Sequence, residues 1–396
     1  MRILIVNIYF RPDLTGSGWL FAELADSLIE RGHDVEVLTA VPHYGLDSAA
    51  VAKSEWKKSD GAVRVHRVPV HRPRRMTTLS RVANYISFCI TAGISAFRLQ
   101  PPDAVVAVWP TPAVLSMSII ARHWGVPLVF SLQDIASDSI PRSRLLRLIN
   151  RTLERAAVRA SDAVITLTDR MRERCLAHGA LPDRVHVVPN WVDLKEFDGP
   201  SSSVAMRREL ELGDCFVALA AGNIGRYCGY DTILDAAARL IDRPDIIVLI
   251  VGRGHDRARI VERARREGLR NVRCVEPVPR DRLRELYACA DVGLVSRDPA
   301  FRDENVAYRA LPMMACELPI LAITSEENEI ARMVVSNRLG VWVDPGDPAA
   351  VASHIRGLAD DPSPLASWGT NGRRFAERFH RRDEAVDRYL RVISGL

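Results

Sequence analysis

Short runs of β-branched and other apolar residues alternate with helical patterns along the chain. In the first half the spacing predicts strands over residues 2–10, 34–40, 63–70, 103–109, 127–133, 162–168 and 184–189. Helical periodicity falls between them, over 20–31, 145–160 and 169–178. The second half repeats the alternation. Strands are expected at 216–221, 246–252, 272–275, 292–296, 319–323 and 341–343, and helices at 230–241, 257–267, 282–289 and 348–358. The strand runs are apolar throughout, which suits parallel strands covered on both faces. Strand–helix alternation over a whole chain reads as doubly wound α/β sheets.

There are too many strands for one sheet, so the pattern divides into two Rossmann-like domains. The first is expected over 1–195, with a final helix at about 375–396 packing back on it, and the second over 196–374. The linker falls near 193–214, where Asp198, Gly199, Pro200 and three serines break the periodicity. In such proteins a small ligand sits at the carboxyl ends of the strands, in the cleft between domains.

Composition narrows the class. With 47% hydrophobic and 26% charged residues in 396, the chain has ample core material, and disordered or collagen-like readings are out. No long apolar span occurs. The opening run stops at Arg11 and Pro12 with no small-residue cleavage site behind it, so a buried strand of a cytoplasmic protein is expected. Seven scattered cysteines form no CxxC pair, and ten histidines form no HExxH cluster. Neither a disulfide framework nor a metal site is expected. Residues 1–195 carry 25 basic against 18 acidic side chains, a net +7, and the remainder −2. That asymmetry suggests different partners for the two domains and is too mild for nucleic acid.

Three glycine-flanked strand ends carry candidate chemistry. Gly16, Ser17 and Gly18 follow the first strand, ahead of a helix expected near Trp19. Glycines there let backbone N–H groups approach an anion at a helix N-terminus. An ordinary βα turn accounts for the same residues. The full GxGxxG is absent, and no acidic residue is suitably placed after the second strand, which disfavours NAD. Gly222, Gly225 and Gly229 surround Arg226, a flexible loop with a fixed cation suited to a diphosphate; a solvated surface arginine is the alternative. Gly252 and Gly254 flank Arg253 at another strand end. Glu304 precedes a helix expected around Tyr308 and Arg309, and a lone glutamate there is ordinarily solvated or a favourable partner of the helix dipole.

Read in order, RILIVNIYFRPDLTGSG, GHDVEVLTAVPHY, VHVVPNWVD, AAGNIG, VGRGHD, LYACADVGLVS, MMACELPILA and GVWVDPGDPAA resemble glycosyltransferase family 4. The likeness extends over nearly the whole chain and leans to the bacterial exopolysaccharide and O-antigen branch. The resemblance implies the GT-B fold, two Rossmann-like domains facing each other across a cleft. It implies a nucleotide diphosphate sugar, UDP-sugar favoured, held by the C-terminal domain and an acceptor held by the N-terminal one. Transfer would proceed with retention, without metal or other cofactor. Gly16, Ser17 and Gly18 match the loop contacting the donor phosphates, with Gly225, Arg226 and Gly252 also on the donor side. Glu304 matches the first glutamate of the E-x7-E motif, which holds sugar hydroxyls near the reacting carbon. Asn190 and Asp193 match a stretch at the hinge. Asp134 falls where relatives place acceptor-side residues, and helix capping is its other reading.

The departures are specific. Pro312 stands where the second glutamate, the ribose contact, is expected. Glu317 replaces a glycine, and Tyr227 or Cys228 takes the place of a diphosphate lysine. Arg309 or Arg297 is then expected to compensate. Three functions follow from the pattern: a polysaccharide or lipid-linked-glycan enzyme, one acting on a small-molecule acceptor, and a degenerate scaffold for another glycosyltransferase. His71, Arg72, Arg74, Arg75 and Arg81 precede sixteen uncharged residues, 82–97, too few to span a bilayer. Peripheral docking on an anionic inner leaflet and a buried helix beside a basic loop both fit this segment.

Overall fold

Eight strands of the first unit build one sheet: β1 (Arg2–Val6), β2 (Asp34–Ala40), β3 (Ser59–Asp60), β4 (Val63–Val68), β5 (Ala104–Ala107), β6 (Leu128–Ser131), β7 (Ala163–Thr166) and β8 (Val185–Val187). Their order is β3-β4-β2-β1-β5-β6-β7-β8, parallel throughout except where β3 meets β4. The chain winds outward in both directions from β1, whose neighbours are β2 and β5. That reversal is the topological switch at which open α/β sheets take ligands. The connecting helices are α1 (Gly16–Glu30), α2 (Thr78–Ala96), α3 (Thr111–Trp124), α4 (Arg144–Ala160) and α5 (Asp169–Ala177). The computed structural model describes residues 1–13, 16–43, 59–72, 78–135, 144–199, 203–300 and 308–396.

The second unit has a parallel sheet of β9 (Phe216–Ala221), β10 (Ile246–Val251), β11 (Val272–Val275), β12 (Val292–Ser296), β13 (Ile320–Ile323) and β14 (Gly340–Val343). Its order is β11-β10-β9-β12-β13-β14, with the switch at β9. Its helices are α6 (Val204–Glu209), α7 (Tyr230–Ala238), α8 (Arg257–Arg266), α9 (Leu283–Ala288), α10 (Ala310–Ala315), α11 (Glu329–Ser336), α12 (Pro348–Asp360) and α13 (Leu365–Phe379). Strands β9 and β10 are buried along nearly their full length, as the unbroken apolar runs require.

The units are Met1–Asn190 with Asp383–Leu396, and Trp191–Arg382. Against the expected boundaries of 195 and about 375, α13 stays with the second unit. Its Gly372 lies against Met314 of α10, and Arg373 donates to the Ala315 carbonyl at 2.9 Å. The final helix, α14 (Arg382–Ser394), joins the first unit: the Tyr389 hydroxyl shares a buried 2.7 Å hydrogen bond with Ser131 at the end of β6. Several strands end short of the apolar run that predicted them. Ile8 and Phe10 are fully buried beyond β1, packed as loop. The two-residue edge strand β3 has no apolar pattern to betray it. Helix α1 begins at Gly16, so Gly16, Ser17 and Gly18 form its first turn, not a preceding loop.

Helix α2 combines both readings of its segment. Phe88, Ala92 and Ala96 are buried, while Val82, Ile86, Ile90 and Ile94 are exposed. Arg74 and Arg75 lie outside the described residues. No described helix is long and apolar enough to cross a membrane.

Pro312 is buried within α10, and Glu317 closes that helix at φ +56°. This left-handed conformation costs an L-residue ~1–2 kcal/mol, and glycine adopts it freely. Part of the gain from Glu317→Gly is offset by the larger entropy of the unfolded chain. The substitution should stabilise the protein by about 0.5–1 kcal/mol, raising the melting temperature by roughly 1–4 °C. A lower melting temperature, read by calorimetry, would show that the Glu317 side chain matters more than its backbone strain.

Candidate functional site

The carboxyl ends of β9 and β10 are locked together by backbone. Gly222 donates to the Val251 carbonyl at 2.9 Å, and Ile224 to Arg253 at 2.8 Å. A Cβ on Gly252 would sit 1.8 Å from the Gly222 carbonyl oxygen. Gly252, expected on the donor side, is thus required by close packing of two loops. From Gly225 the chain makes a 3-10 turn, Arg226–Cys228, and Gly229, at φ +67°, starts α7. A Cβ at Gly229 would fall 2.6 Å from the Arg297 carbonyl.

On this platform stand two arginines. Arg226 is exposed and has no protein partner among the described residues. Arg309, immediately before α10, is half-buried against the inner side of the loop: its Nε lies 3.8 Å from where a Cβ on Gly222 would be. One arm donates to the Cys228 sulfur at 3.0 Å, and buried Nη1 has no hydrogen-bond partner. No carboxylate among the described residues pairs with Arg309. Tyr230, in the first turn of α7, is 2% exposed and its hydroxyl makes no hydrogen bond. Burial pushes this phenol up to about 12, with Arg309 nearby pulling the other way. Arg297 lies over the Tyr227 ring at 5.8 Å, and Asn223 donates to the Tyr227 hydroxyl at 2.6 Å. A permanently charged guanidinium, half-buried with no counter-ion among the described residues and set beside glycine backbone and a helix N-terminus, suits an oxyanion. Arg309 was anticipated only as a replacement for missing contacts, yet it is the better placed of the two cations.

The first unit has its own polar edge. Asn7, just after β1, is fully buried with neither amide atom partnered, and the buried Thr111 hydroxyl at the start of α3 is likewise unpaired. His43, after β2, stacks on Tyr9 at 5.5 Å. Its Nδ1–H donates to the Val41 carbonyl at 2.9 Å and its backbone N–H to Asp13 at 2.8 Å. That leaves Nε2, buried and unpartnered, as an acceptor. Each such unpaired group costs ~1–3 kcal/mol. They lie at the carboxyl ends of β1, β2 and β5, on either side of the switch point. Sequence reading passed over His43, although its place after the second strand, in Val41-Pro42-His43, was a usable signal.

Asp134 is exposed just beyond β6, next to Gln133, whose amide donates to Ser131 at 3.1 Å. Gly16, Ser17 and Gly18 form the first turn of α1. Glu304 lies outside the described residues. Among those described, no cluster of His, Cys, Asp and Glu suits a metal ion.

Two Rossmann-like units with ligand-ready loops at their switch points define the GT-B class of glycosyltransferases. Residues 15–191 match the Glycosyl transferase 4-like domain and residues 204–375 the Glycosyl transferases group 1 family. The chain belongs to the family 4 glycosyltransferases and is an enzyme of glycan biosynthesis. It is 27% identical to WcaI of Escherichia coli (strain K12), assigned by name to colanic acid biosynthesis, over the whole of both chains. It is 33% identical to D-inositol 3-phosphate glycosyltransferase 2 of Catenulispora acidiphila over 69% of this chain and 67% of that one. The solved structure of HepE from Anabaena, in complex with UDP and glucose, covers all of both chains at a TM-score of 0.77 and 18% identity, a likeness of fold.

A partly desolvated cation with no counter-ion among the described residues burdens the free protein. Replacing it with an apolar side chain of similar length should therefore not destabilise the fold. Arg309→Met is expected to melt at the wild-type temperature or a few degrees above it, and to lose the stabilisation that pyrophosphate gives the wild type. A fall of more than about 2 kcal/mol with the pyrophosphate response intact would make Arg309 a structural residue.

Proposed function

We propose that the protein is a retaining, metal-independent glycosyltransferase. It moves a sugar from a nucleoside diphosphate sugar, a UDP-sugar first, to a hydroxyl of a lipid-linked glycan in polysaccharide synthesis. The observation that carries this is Arg309: a half-buried charge with no counter-ion among the described residues, beneath a glycine loop at the switch point of the second sheet. The diphosphate is the missing anion. WcaI's name supports an exopolysaccharide setting, and the UDP in HepE supports the choice of base. A small-molecule acceptor is the second reading, favoured by the D-inositol 3-phosphate glycosyltransferases among the relatives. The lipid-linked reading implies work at the cytoplasmic face of the plasma membrane.

In this mechanism Arg309, Arg226 and the N–H groups of the loop take up the negative charge that grows on the departing diphosphate. Gly16–Gly18, as the first turn of α1, adds a second anion contact. The bond from the anomeric carbon to the β-phosphate oxygen breaks, and the acceptor oxygen bonds to the same face of that carbon. The acceptor's proton passes to the departing phosphate oxygen. Glu304 accepts hydrogen bonds from the sugar hydroxyls and stabilises the positive charge developing at the anomeric centre. Asp134 orients the acceptor, together with the unpaired polar groups of Asn7, Thr111 and His43 at other strand ends of the first unit.

Two measurements test the assignments. Arg226→Ala should weaken binding of UDP more than that of UMP, by roughly ten- to a hundredfold for a charge-assisted bond of ~1.5–3 kcal/mol. Equal losses for both nucleotides place Arg226 away from the β-phosphate. Glu304→Gln keeps the shape and removes the charge. Transfer should fall at least ~tenfold while UDP binds nearly as before. Full transfer activity in that variant, with the true donor and acceptor, overturns Glu304 as the sugar-side residue. A wild-type protein whose melting temperature ignores UDP, GDP and dTDP would be a scaffold.

A further inference from the structure

The first sheet carries a group of unspent polar side chains at the edge where such sheets take ligands. Beyond the ladder of β1, the main chain of Asn7 and Ile8 is held between the ends of β2 and β5. The Asn7 N–H donates to the Leu38 carbonyl at 3.2 Å and the Ile8 N–H to that of Trp109 at 3.0 Å. The Ile8 carbonyl accepts from the Ala40 N–H at 3.3 Å and from the Thr39 hydroxyl at 3.2 Å. The Asn7 side chain takes no part in this. It is fully buried, and neither amide atom has a partner among the described residues. The same holds for the buried Thr111 hydroxyl at the start of α3.

His43 differs from these two in being committed to one role. Its ring stacks on Tyr9 with the planes 26° apart, and its backbone N–H is tied to the Asp13 carboxylate. A carbonyl can only accept, so the 2.9 Å contact with Val41 puts the ring proton on Nδ1. Nε2 of the neutral ring is then a lone pair and nothing else, enclosed and unpartnered among the described residues. Only a hydrogen-bond donor satisfies such an atom. An ionised carboxylate, which only accepts, does not fit it; a hydroxyl does. Asn7 and Thr111 can each donate and accept, which suits the further oxygens of a polyhydroxylated ring.

We propose that His43 sets the specificity for the acceptor: its Nε2 accepts a hydrogen bond from a hydroxyl of a sugar or cyclitol ring, and Asn7 and Thr111 bind that ring's other hydroxyls. This rests on the reading that the first unit holds the acceptor. The bond orients the hydroxyl and takes no proton from it. The full chain, with isotopically labelled histidine nitrogens, is to be titrated by NMR with the methyl β-glycosides of glucose, galactose and N-acetylglucosamine. The same glycosides methylated on every hydroxyl serve as controls, and His43→Asn assigns the His43 signals by removing them. Nε2 should resonate as an unprotonated nitrogen, and at least one free glycoside should shift it while its methylated counterpart does not. His43→Asn keeps a donor for Val41 and removes the lone pair, so affinity for that glycoside should fall ~tenfold. His43→Gln places an oxygen near the position of Nε2 and gives up the Val41 bond; it should bind within ~threefold of wild type. A protonated Nε2, a resonance that no glycoside moves, or one that free and methylated glycosides move alike overturns the proposal. So does the reverse order of the variants, Asn binding as wild type and Gln failing, which would leave the ring a structural role towards Val41. Melting temperatures verify folding. UDP should raise them alike in wild type and both variants, which tells a failure here apart from a failure of the glycosyltransferase reading.

Discussion

The carboxyl edge of the second unit's sheet depends on backbone occupying space where side chains would ordinarily be. Two loops, after β9 and after β10, approach so closely that Cβ atoms at Gly252 and Gly254 would fall 1.8 and 2.2 Å from the carbonyl oxygens of Gly222 and Ile224. The hydrogen bonds Gly222 to Val251, Ile224 to Arg253 and Asp256 to Ile224 hold that contact. Because main chain does the holding, the side chains of Asn223, Arg226 and Tyr227 are not needed to shape the loop. The same approach forms the wall against which Arg309 lies. Any residue larger than glycine at 252 or 254 would part the loops, and the arginine behind them would lose its place.

Arginine elsewhere in the second unit follows a consistent habit. Arg207 pairs with Asp291, Arg243 with Asp245 and Asp360, Arg259 and Arg263 with Asp231, and Arg373 with Glu377. Most of these arginines are half-buried while their carboxylate partners are largely exposed, and each such pair contributes little to stability. Arg309 departs from the habit in the place where desolvation makes an unpaired charge costly. Arg309 is as half-buried as those arginines, yet its enclosed Nη1 has no hydrogen-bond partner and no carboxylate among the described residues pairs with it, the kind of stability–function conflict expected at a working site.

How much of this was legible depended on the kind of physics involved. The parallel strands were readable because burial on both faces demands continuous apolar residues, and every expected strand lies on an observed one. Their ends were not, since Ile8, Phe10 and Leu132 are as buried outside the ladders as within them. The start of α1 was placed late because two glycines argue against helix, and the first turn tolerates them where an interior turn would not. Glu317 stood out as a departure, while its cause, a left-handed backbone position, is visible only in three dimensions. Arg226 was readable from its glycines. Arg309 was named only to replace missing contacts; that its enclosed Nη1 has no partner among the described residues is visible only in three dimensions. His43 is similar, since one ring nitrogen must be tied to Val41 before the other becomes a committed acceptor.

Net charge illustrates the same limit on the other unit. A balance of +7 over 195 residues looks mild because it averages over regions with opposite organisation. Asp34 and Glu36 are spent on Arg2, Arg64 and His66 at the β1–β2–β4 edge, and Asp26 on Arg11. Those carboxylates lower the sum at that edge, whereas α2, α3 and α4 carry a single carboxylate, the buried Glu154. Those helices therefore present arginines alone, over a surface that the hydrophobic effect would otherwise bury. A field confined to one face acts within about 10 Å in ordinary salt, so local arrangement, not the sum, decides what that face attracts.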